Sequence, residues 1–424
     1  MTLFLLVLAG EIIFSLPFHI TRFFRPTFLI EFQLSNTQLG DIFAVYGIVA
    51  MLSYFPGGII ADRFAPGKLM AFSLFATAAG GLFLLTKPDT TGLAILFGYW
   101  GATTILLFWA AMIKGTRLLA GHYRQGKAFG ILDGGRGLVA SLFASGAVLL
   151  FQFNSHQQLS AVVGQTTSTL TLQPVILFYT VTTALTALLI YCFANRFSVE
   201  RSVQENTEAL QNDIFNTLKN QYVWLQGLIV IAAYCGYKSL DNLGLYAVEV
   251  LGMSELESAE LTSYLSYLRP IAAITVGILA DRWSPSRAIT VLFALLIISF
   301  LILMFIDSSS VFQQLIILNL AITGFAIFAL RGVYFTLLEE SQLKIQRTGA
   351  AVGIISFVGF TPDIFFAPIT GRILDANDVT SGFQYYFILM SFISLIGLVA
   401  ASLFIYYLKR ASVKGKIDEQ IEHE

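Results

Sequence analysis

A short charged stretch with the sequence GGIIADRFAPGK, running from Gly57 to Lys68, decides the fold of this chain. A second copy, VGILADRWSPSR, runs from Val276 to Arg287, 219 positions later. Each copy separates two long apolar runs, so each is expected to form a hairpin between two membrane helices. A repeat at this distance in a chain of 424 residues predicts a protein made of two similar halves.

The composition is that of a membrane protein. Hydrophobic residues make up 56% of the chain, charged residues only 12%, and the mean hydropathy is +0.75. Soluble domains carry roughly 25% charged residues, so a soluble fold is excluded. The net charge of −1 gives no reason to expect a nucleic acid as partner. The two cysteines, Cys192 and Cys235, lie far apart and have neither metal-ligand nor redox spacing.

The apolar sequence divides into twelve runs, each close to the length that a membrane-spanning helix needs, about 20 residues. They cover residues 3–30, 39–61, 69–86, 92–118, 128–153, 173–194, 222–251, 260–280, 288–305, 313–337, 348–371 and 383–408. We therefore predict an all-α membrane protein of twelve transmembrane helices, six in each half. Residues 3–30 are interpreted as the first span and not as a cleavable signal, because the run is long and contains ionisable residues.

The repeat and the loop charges predict the domain boundaries and the orientation. We expect an N-terminal six-helix half at 1–194, a connecting loop at 195–221, a C-terminal half at 222–408 and a tail at 409–424. If both termini are cytoplasmic, the inner segments contain 17 Lys and Arg and the outer segments two, Lys87 and Arg372. The inner residues are Arg63, Lys68, Lys114, Arg117, Arg124, Lys127, Arg196, Arg201, Lys219, Arg282, Arg287, Lys344, Arg347, Lys409, Arg410, Lys414 and Lys416. This asymmetry predicts a cytoplasmic connecting loop, a cytoplasmic tail and an outer loop at 154–172.

The two charged hairpins resemble the signature loop of the major facilitator superfamily, whose pattern is Gly-x-x-x-Asp-Arg/Lys-x-Gly-Arg/Lys. The matching positions are Gly58, Asp62, Arg63, Gly67 and Lys68 in the first copy and Gly277, Asp281, Arg282 and Arg287 in the second. The first copy inserts two residues before its closing pair, and the second has Ser286 for the second glycine. The resemblance implies two pseudo-symmetric six-helix halves and transport by alternating access.

The resemblance also implies a gating role for the charges of these hairpins. In the superfamily, the aspartate and the following basic residue hold one half to the other while the inner gate is closed. The corresponding positions are Asp62 with Arg63 and Asp281 with Arg282. Arg117, at the inner end of the fourth span, is the expected partner of Asp62. Alternatively, the basic residues simply hold the loops on the cytoplasmic side.

Six basic residues remain within or at the edges of spans when the 19 loop residues are subtracted from the total of 25. They are Arg22, Arg25, Arg136, Lys238, Arg269 and Arg331. A charge inside a membrane must face a partner or a water-filled cavity, so these residues are functional candidates. Arg25 is expected to reach water at the outer surface. Arg136 is expected to pair with Asp133, three residues before it, and Glu11 is a candidate for pairing with another helix.

The offset of 219 residues aligns His19 with Lys238 and Arg22 with Asp241. Arg269 lies about 18 Å from the second hairpin at 1.5 Å rise per residue, which is also near the midplane. In proteins built from paired six-helix halves, the solute binds near the midplane, where the halves meet. Arg22, Lys238 and Arg269 with a single acid leave an excess of positive charge, which favours an anionic solute.

Neutral and titratable side chains complete the candidate site. Tyr46 and Tyr234 are expected to hydrogen-bond the solute or, alternatively, to pack between helices. Asp241 and Asp363 are candidate proton carriers, and His19 is a further one. The alternative for Asp363 is an acidic residue at the N-terminus of a helix that restarts after the preceding proline.

Further stretches resemble the branch of the superfamily that contains the organophosphate and anion:cation symporters. They are Arg25-Pro26 through Gly40, Tyr46-Gly47, Gly126–Gly130 and Gly134–Gly137. That branch has an arginine in its first helix at the position of Phe18, and here Arg22 lies one turn further along the same face. This resemblance implies an anionic solute without naming it.

The leading hypothesis is a secondary-active symporter or antiporter of the plasma membrane, the inner membrane in a bacterium, with both termini cytoplasmic. It moves a small organic anion, coupled to protons or to anion exchange. The alternatives are a proton-coupled transporter of a neutral or drug-like solute and a transporter-like membrane sensor. An enzyme is not expected, because no nucleophile–base set is present. We expect a monomer whose partners are the solute and the lipid bilayer, with no cofactor or metal.

Overall fold

A computed structural model describes residues 2–120, 125–161, 171–194, 217–282, 284–306, 312–341 and 345–422. Every regular element in these ranges is helical. The α-helices are α1 (Thr2–Ile12), α2 (Ile20–Phe23), α3 (Arg25–Glu31), α4 (Asn36–Arg63), α5 (Pro66–Leu84), α6 (Thr90–Gly101), α7 (Ala110–Ala120), α8 (Gln125–Ala161), α9 (Gln173–Cys192), α10 (Gln221–Ser239), α11 (Leu243–Glu249), α12 (Glu255–Ser266), α13 (Leu268–Arg282), α14 (Pro285–Phe305), α15 (Gln313–Val333), α16 (Leu337–Glu340), α17 (Ile345–Gly359), α18 (Pro362–Asp375) and α19 (Val379–Glu422).

Within the described ranges, ten helices are long and apolar enough to cross a membrane, and a bent pair, Leu3–Ile12 with Ser15–Phe23, raises the number to eleven. The predicted span at 260–280 is not among them, and in the structure it is divided at Tyr267 into α12 and α13. The fold class is thus confirmed as an all-helical membrane protein, and the number of twelve spans stays a prediction.

The two charged hairpins begin and end at equivalent residues. The helix α4 ends at Arg63 and α5 begins at Pro66, while α13 ends at Arg282 and α14 begins at Pro285, each 219 positions later. Proline suits the first position of a helix, because that residue's N–H has no partner within the helix. The repeat read from the sequence is therefore also a repeat in helix boundaries.

The first span is not the continuous helix that residues 3–30 predicted. A bend of 43° separates Leu3–Ile12 from Ser15–Phe23, and Ser15–His19 forms a π-helical turn. Pro17 lies in this turn and has no N–H to donate, so the regular α-helical hydrogen bonding cannot continue through it. Turns of this kind are frequent at functional sites.

Two helices extend further than predicted. The helix α8 continues to Ala161, beyond the predicted end at 153, and α19 continues to Glu422, beyond 408. The 44 residues of α19 span about 66 Å, twice the roughly 30 Å of a bilayer core. The predicted tail is therefore largely a helical extension of the last span.

The chain forms two compact units. The first comprises Met1–Arg201, Leu240–Pro270 and Asp363–Phe383, so it contains segments of both predicted halves. Its apolar core includes Leu6, Met70, Phe108, Met112 and Ile190, from α1, α5, α7 and α9 and the π-helical segment before α7. A continuous apolar core of this kind holds the helices of the first unit together.

The second unit comprises Ser202–Ser239, Ile271–Pro362 and Gln384–Glu424. Polar side chains tie its helices: Gln226 Nε2 donates to the carbonyl of Tyr334 at 2.8 Å, and Asn319 Nδ2 donates to that of Ser299 at 2.9 Å. Such amide bonds between helices are favoured in lipid, where a polar group has few other partners.

A buried glutamate fixes the end of the first span within the first unit. Glu31 Oε2 accepts the N–H of Leu172 at 2.6 Å, at the start of α9, and Oε1 pairs with Lys87 Nζ at 2.8 Å. A carboxylate at a helix N-terminus is favoured because the N–H groups there have no helical partner. This contact attaches α3 to α9.

Charged groups also connect α4 with α18 in the first unit. Asp375 accepts the N–H groups of Asn36 and Thr37 at 3.1 and 2.6 Å, at the N-terminus of α4. One turn further, Arg372 donates two hydrogen bonds to Asp41 at 2.8 and 3.2 Å. These contacts join the second span to the segment that the sequence places eleventh.

Candidate functional site

A buried carboxylate, Glu11, binds three ionisable side chains at the end of α1. Its Oε2 accepts Arg136 Nε at 3.0 Å, and its Oε1 accepts Arg269 Nη1 at 3.2 Å and lies 3.3 Å from His19 Nε2. All four residues are at most 7% exposed. We call these four residues the Glu11 cluster. Its members come from α1, the π-helical turn, α8 and α13.

The surroundings position the two arginines of the cluster. The guanidinium of Arg136 lies 5.5 Å from the ring centre of Phe14 and 5.9 Å from that of Trp109, within cation–π range. A Cβ atom on Gly137 would lie 2.9 Å from Arg269 Cγ, so the absence of a side chain at Gly137 allows Arg269 to approach. The break at Tyr267 precedes Arg269 by two residues.

A second ion pair lies one turn further along the first span. Arg22 Nε donates to Asp241 Oδ1 at 2.5 Å, and both side chains are about one-tenth exposed or less. Asp241 lies in the short 3₁₀ turn Leu240–Asn242. The two partners are the residues that the offset of 219 aligns. The charge of Arg22 also acts on His19, which places this pair next to the Glu11 cluster.

The Glu11 cluster and the Arg22–Asp241 pair both lie in the first compact unit and use residues of both predicted halves. Together they contain three arginines, Arg22, Arg136 and Arg269, and two carboxylates, Glu11 and Asp241. Buried charges are costly unless they are paired, and each of these arginines has a carboxylate partner.

The ring of His19 contacts two aromatic rings. Its centre lies 5.6 Å from that of Phe23 and 5.7 Å from that of Tyr179. Within the described residues, His19 Nδ1 and the hydroxyl of Tyr179 have no hydrogen-bond partner. Buried polar atoms of this kind commonly bind a water or a ligand atom.

Comparison with known proteins identifies the family. The sequence profile of the Major Facilitator Superfamily matches residues 7–367, most of the chain. The chain belongs to the Major Facilitator Superfamily. It is therefore a multi-pass membrane protein that transports by alternating access.

Two relatives match nearly end to end, both from Escherichia coli (strain K12). Inner membrane protein YqcE is 27% identical over 391 residues, which cover 90% of this chain and 89% of YqcE. Inner membrane protein YihN is 26% identical over 427 residues, which cover 97% of this chain and 96% of YihN.

Solved structures of superfamily transporters share the fold. The nucleoside transporter NupG matches with a TM-score of 0.69 at 11% identity, over 95% of this chain and 98% of NupG. A bacterial homolog of the human lysosomal transporter Spinster matches with a TM-score of 0.69 at 14% identity, over 96% of each chain. At such low identities the likeness concerns the fold alone.

The signature hairpins of this superfamily member are described in part. The backbones of Asp62, Arg117, Asp281 and Arg282 belong to helices, but their side chains lie outside the described part of the structure. Arg63 is exposed. The gating roles of these five residues stay predictions.

A lysine that sequence reasoning did not single out contacts the first hairpin. Lys114 Nζ, on α7, donates to the carbonyl of Ala61 at 2.8 Å, one residue before Asp62. A lysine near the C-terminal end of a helix satisfies a carbonyl and opposes the helix dipole. The position of Lys114 at the inner end of the predicted fourth span was the feature of the sequence that could have indicated this contact.

Of the predicted solute contacts, Tyr46 lies in the first unit, and Tyr234 and Lys238 lie in the second. Tyr46 is buried in the first unit and lies 2.8 Å from Thr104 Oγ1. Because Thr104 donates its own proton to the carbonyl of Trp100, Tyr46 donates to Thr104. In the second unit Lys238 is buried, and the ring of Tyr234 stacks on that of Tyr237 at 6.0 Å.

The helix break before Asp363 is confirmed. The helix α17 ends at Gly359 and α18 begins at Pro362, so Asp363 lies in the first turn of a new helix. A carboxylate is favoured at this position by the unpaired N–H groups of the helix N-terminus. The structure thereby supports the helix-terminus interpretation of Asp363.

Arg25 differs from what the sequence suggested, the expected partner of Arg136 lies outside the described part, and the expected pairing of Glu11 with another helix is confirmed. Arg25 does not reach water: it is 3% exposed and donates to Asn36 Oδ1 at 3.0 Å. Arg136, expected beside Asp133, pairs with Glu11, and the side chain of Asp133 lies outside the described part. Glu11, a minor candidate, connects the cluster. Its charge within an apolar run was the available signal.

Proposed function

We propose that this superfamily member moves a small organic anion, coupled to protons or to anion exchange. The observation that supports this proposal is a group of three arginines, Arg136 and Arg269 buried and Arg22 partly buried, whose described ion pairs are with Glu11 and Asp241. An anionic solute would bind these guanidinium groups through charge-assisted hydrogen bonds. Guanidinium groups bind carboxylate and phosphate oxygens in a fixed planar geometry, which gives such a site selectivity.

The proposed solute-binding residues are Arg22, Arg269 and His19, with Tyr46 supplying a neutral contact. Arg136 joins this set because it shares Glu11 with Arg269. Lys238 and Tyr234 stay proposed contacts on the strength of the sequence alone.

Proton coupling is assigned to Asp241 and Asp363 as a proposal. Asp241 is paired with Arg22, so its protonation would release that arginine for the solute. Asp363 lies in the first turn of α18, where protonation would remove a favourable charge–dipole contact.

The chain is proposed to lie in the plasma membrane as a monomer with both termini in the cytoplasm. The excess of basic residues in the predicted inner segments supports this orientation. Labelling of a cysteine placed at Gln157, in a protein lacking Cys192 and Cys235, tests it. Labelling of this cysteine from the cytoplasmic side alone would show that the protein has the opposite orientation.

The solute class is tested with three sugars that share one ring: glucose, glucuronate and glucose 6-phosphate, with uridine as an unrelated neutral compound. Thermal unfolding of the purified protein is measured with each, followed by uptake into proteoliposomes. We expect the anions to raise the melting temperature, because a ligand at a hundred times its Kd adds about 2.7 kcal/mol to the stability. Binding of glucose or uridine without binding of either anion would refute the anion proposal.

A further inference from the structure

The Glu11 cluster suggests how an anionic solute and a proton are exchanged, an inference that rests on the proposed function. We propose that Glu11 is a built-in anion that competes with a solute carboxylate for Arg136 and Arg269, and that it is protonated when the solute takes its place. Nothing in the sequence pattern assigns this role to Glu11, since the signature residues lie elsewhere.

The first argument is geometric. One carboxylate bridges two guanidinium groups from different helices, with Oε2 on Arg136 and Oε1 on Arg269. This is the arrangement that a carboxylate of a bound solute would adopt between the same two arginines. Glu11 thus holds both arginines in the position that the solute requires. Displacement exchanges one carboxylate for another and keeps the arginines paired.

The second argument is the charge balance. Before displacement, Glu11, Arg136 and Arg269 carry a net charge of +1. If a monovalent anion replaced an ionised Glu11 that stayed buried, two like charges would lie close together, which disfavours the ionised form of a carboxyl. If Glu11 binds one proton as the anion enters, the three residues and the anion again carry +1. Solute anion and proton then enter together, and the charge of the cluster is unchanged.

The third argument is that a proton donor is in place. His19 Nε2 lies 3.3 Å from Glu11 Oε1, on the side of the carboxylate that also faces Arg269. Within the described residues, the other ring nitrogen of His19 has no hydrogen-bond partner. A neutral histidine that gives its Nε2 proton to Glu11 while Nδ1 takes up another proton relays a proton without a change in its own charge.

The ionisable groups that act on Glu11 come from several packed elements. Within the described part of the chain they are Arg136 on α8, Arg269 on α13 and His19 in the π-helical turn. Tyr179 on α9 also interacts electrostatically with Glu11. Arg22 acts on His19 from the following turn. The surroundings of Glu11 are thus cationic on two sides, which is where a second carboxylate would bind.

The geometry also points to the class of solute. A site whose arginines are held by a carboxylate fits a planar, monovalent carboxylate better than a tetrahedral, largely divalent phosphate monoester. We therefore expect glucuronate to bind more tightly than glucose 6-phosphate, and glucose to bind most weakly. Acetate is a carboxylate without a sugar ring. Comparing its affinity with that of glucuronate shows whether the site recognises the carboxylate alone or the sugar ring as well.

The test compares the wild type with Glu11→Gln, which imitates the protonated side chain. In the wild type, the affinity for glucuronate should fall as the pH rises, by about tenfold per pH unit when one proton is taken up per anion. In Glu11→Gln the affinity should be high, at least tenfold above the wild type at pH 8, and should depend on pH much less steeply than in the wild type. Proteoliposomes with the variant should exchange glucuronate but not accumulate it in response to a proton gradient.

The matched control is Glu31→Gln. Glu31 is also a buried glutamate of the first unit with a basic partner, Lys87, but it lies outside the cluster. This control should lower the melting temperature and leave the affinity for glucuronate and its pH dependence as in the wild type. Equal loss of pH dependence in both variants would show a general effect of removing a buried charge and would overturn the assignment.

A measurement on the wild type alone covers the case in which Glu11→Gln does not fold. Calorimetric titration of glucuronate in two buffers of different ionisation enthalpy counts the protons taken up, and infrared difference spectra show whether a carboxyl group becomes protonated. Uptake of about one proton supports the proposal. Binding of glucuronate with no proton uptake would overturn it while leaving the anion function intact. Binding of neither anion would refute the proposed function itself.

Discussion

The second span and the predicted eighth span begin and end at equivalent residues but differ in the middle. Helix α4 begins at Asn36 and ends at Arg63, and the pair α12–α13 begins at Glu255 and ends at Arg282, both displaced by 219. Both begin with a capping box, formed by Ser35 in one and Ser254 in the other. The ends of these helices are therefore set by the same local chemistry.

The middle of the two spans is where the similarity is lost. Helix α4 continues without interruption through Ala50, a small buried residue. At the equivalent position the eighth span has Arg269, two residues after the break at Tyr267. The difference shows that the repeat supplies the framework of helices and that substitution of one buried position, in one half, supplies the charge that binds Glu11.

The largest effect is expected from removing the charge of Arg269. Arg269→Ala should weaken the binding of glucuronate by about 2–5 kcal/mol, at least thirtyfold, as for truncating a buried charged partner. Arg269→Lys should recover only part of this loss, because an ammonium cannot form planar paired contacts. Titration calorimetry measures both. Arg287→Ala, at the second hairpin, is the control, and wild-type affinity in Arg269→Ala would show that the arginine is structural.

The contributions of the two hairpins to transport are compared with the variants Asp62→Asn and Asp281→Asn. We expect Asp62→Asn to slow transport by about tenfold, with solute affinity nearly unchanged, because a latch alters the balance of conformations and not the site. Asp281→Asn should be milder, since its hairpin departs further from the signature pattern. Uptake and binding are measured on the same preparations. A parallel loss of affinity and transport would contradict a purely gating role.

A smaller effect is expected from the glycine beside Arg269. In Gly137→Ala the new methyl group would meet Arg269 Cγ at 2.9 Å, so the side chain must shift and the affinity for glucuronate should fall, by about fivefold. Gly134→Ala lies one turn away on the same helix, where a Cβ meets nothing within 4 Å. This control should bind as the wild type does. Equal affinity in the two variants would mean that the position of Arg269 is unimportant.

The smallest effect concerns the shared caps. Ser35→Ala and Ser254→Ala should each lower the stability by about 1 kcal/mol, since each removes the side chain that accepts an N–H in the first turn. Thermal unfolding of both variants measures this. Similar values would sharpen the comparison, because they would show that the ends of the two spans are equivalent in energy as well as in position.

Local features were predictable because they depend on neighbouring residues. The hairpin prolines, Pro66 and Pro285, and the break before Pro362 follow from the missing N–H of proline. The offset of 219 even aligned Arg22 with Asp241, which the structure shows as an ion pair. The run at 260–280 was predicted as one span, and its break at Tyr267 lies three residues before Pro270, whose missing N–H leaves a backbone carbonyl without a helical partner.

By itself, the sequence determined the membrane-spanning helices, the internal repeat and the superfamily, since apolar length and hairpin chemistry are properties of contiguous residues. Only the tertiary structure decided that Glu11 bridges Arg136 and Arg269, which lie 125 and 258 positions away. Pairing at such distances depends on which helix faces turn toward each other. That choice follows from the packing of all the helices of the unit together, and no spacing along the chain encodes it.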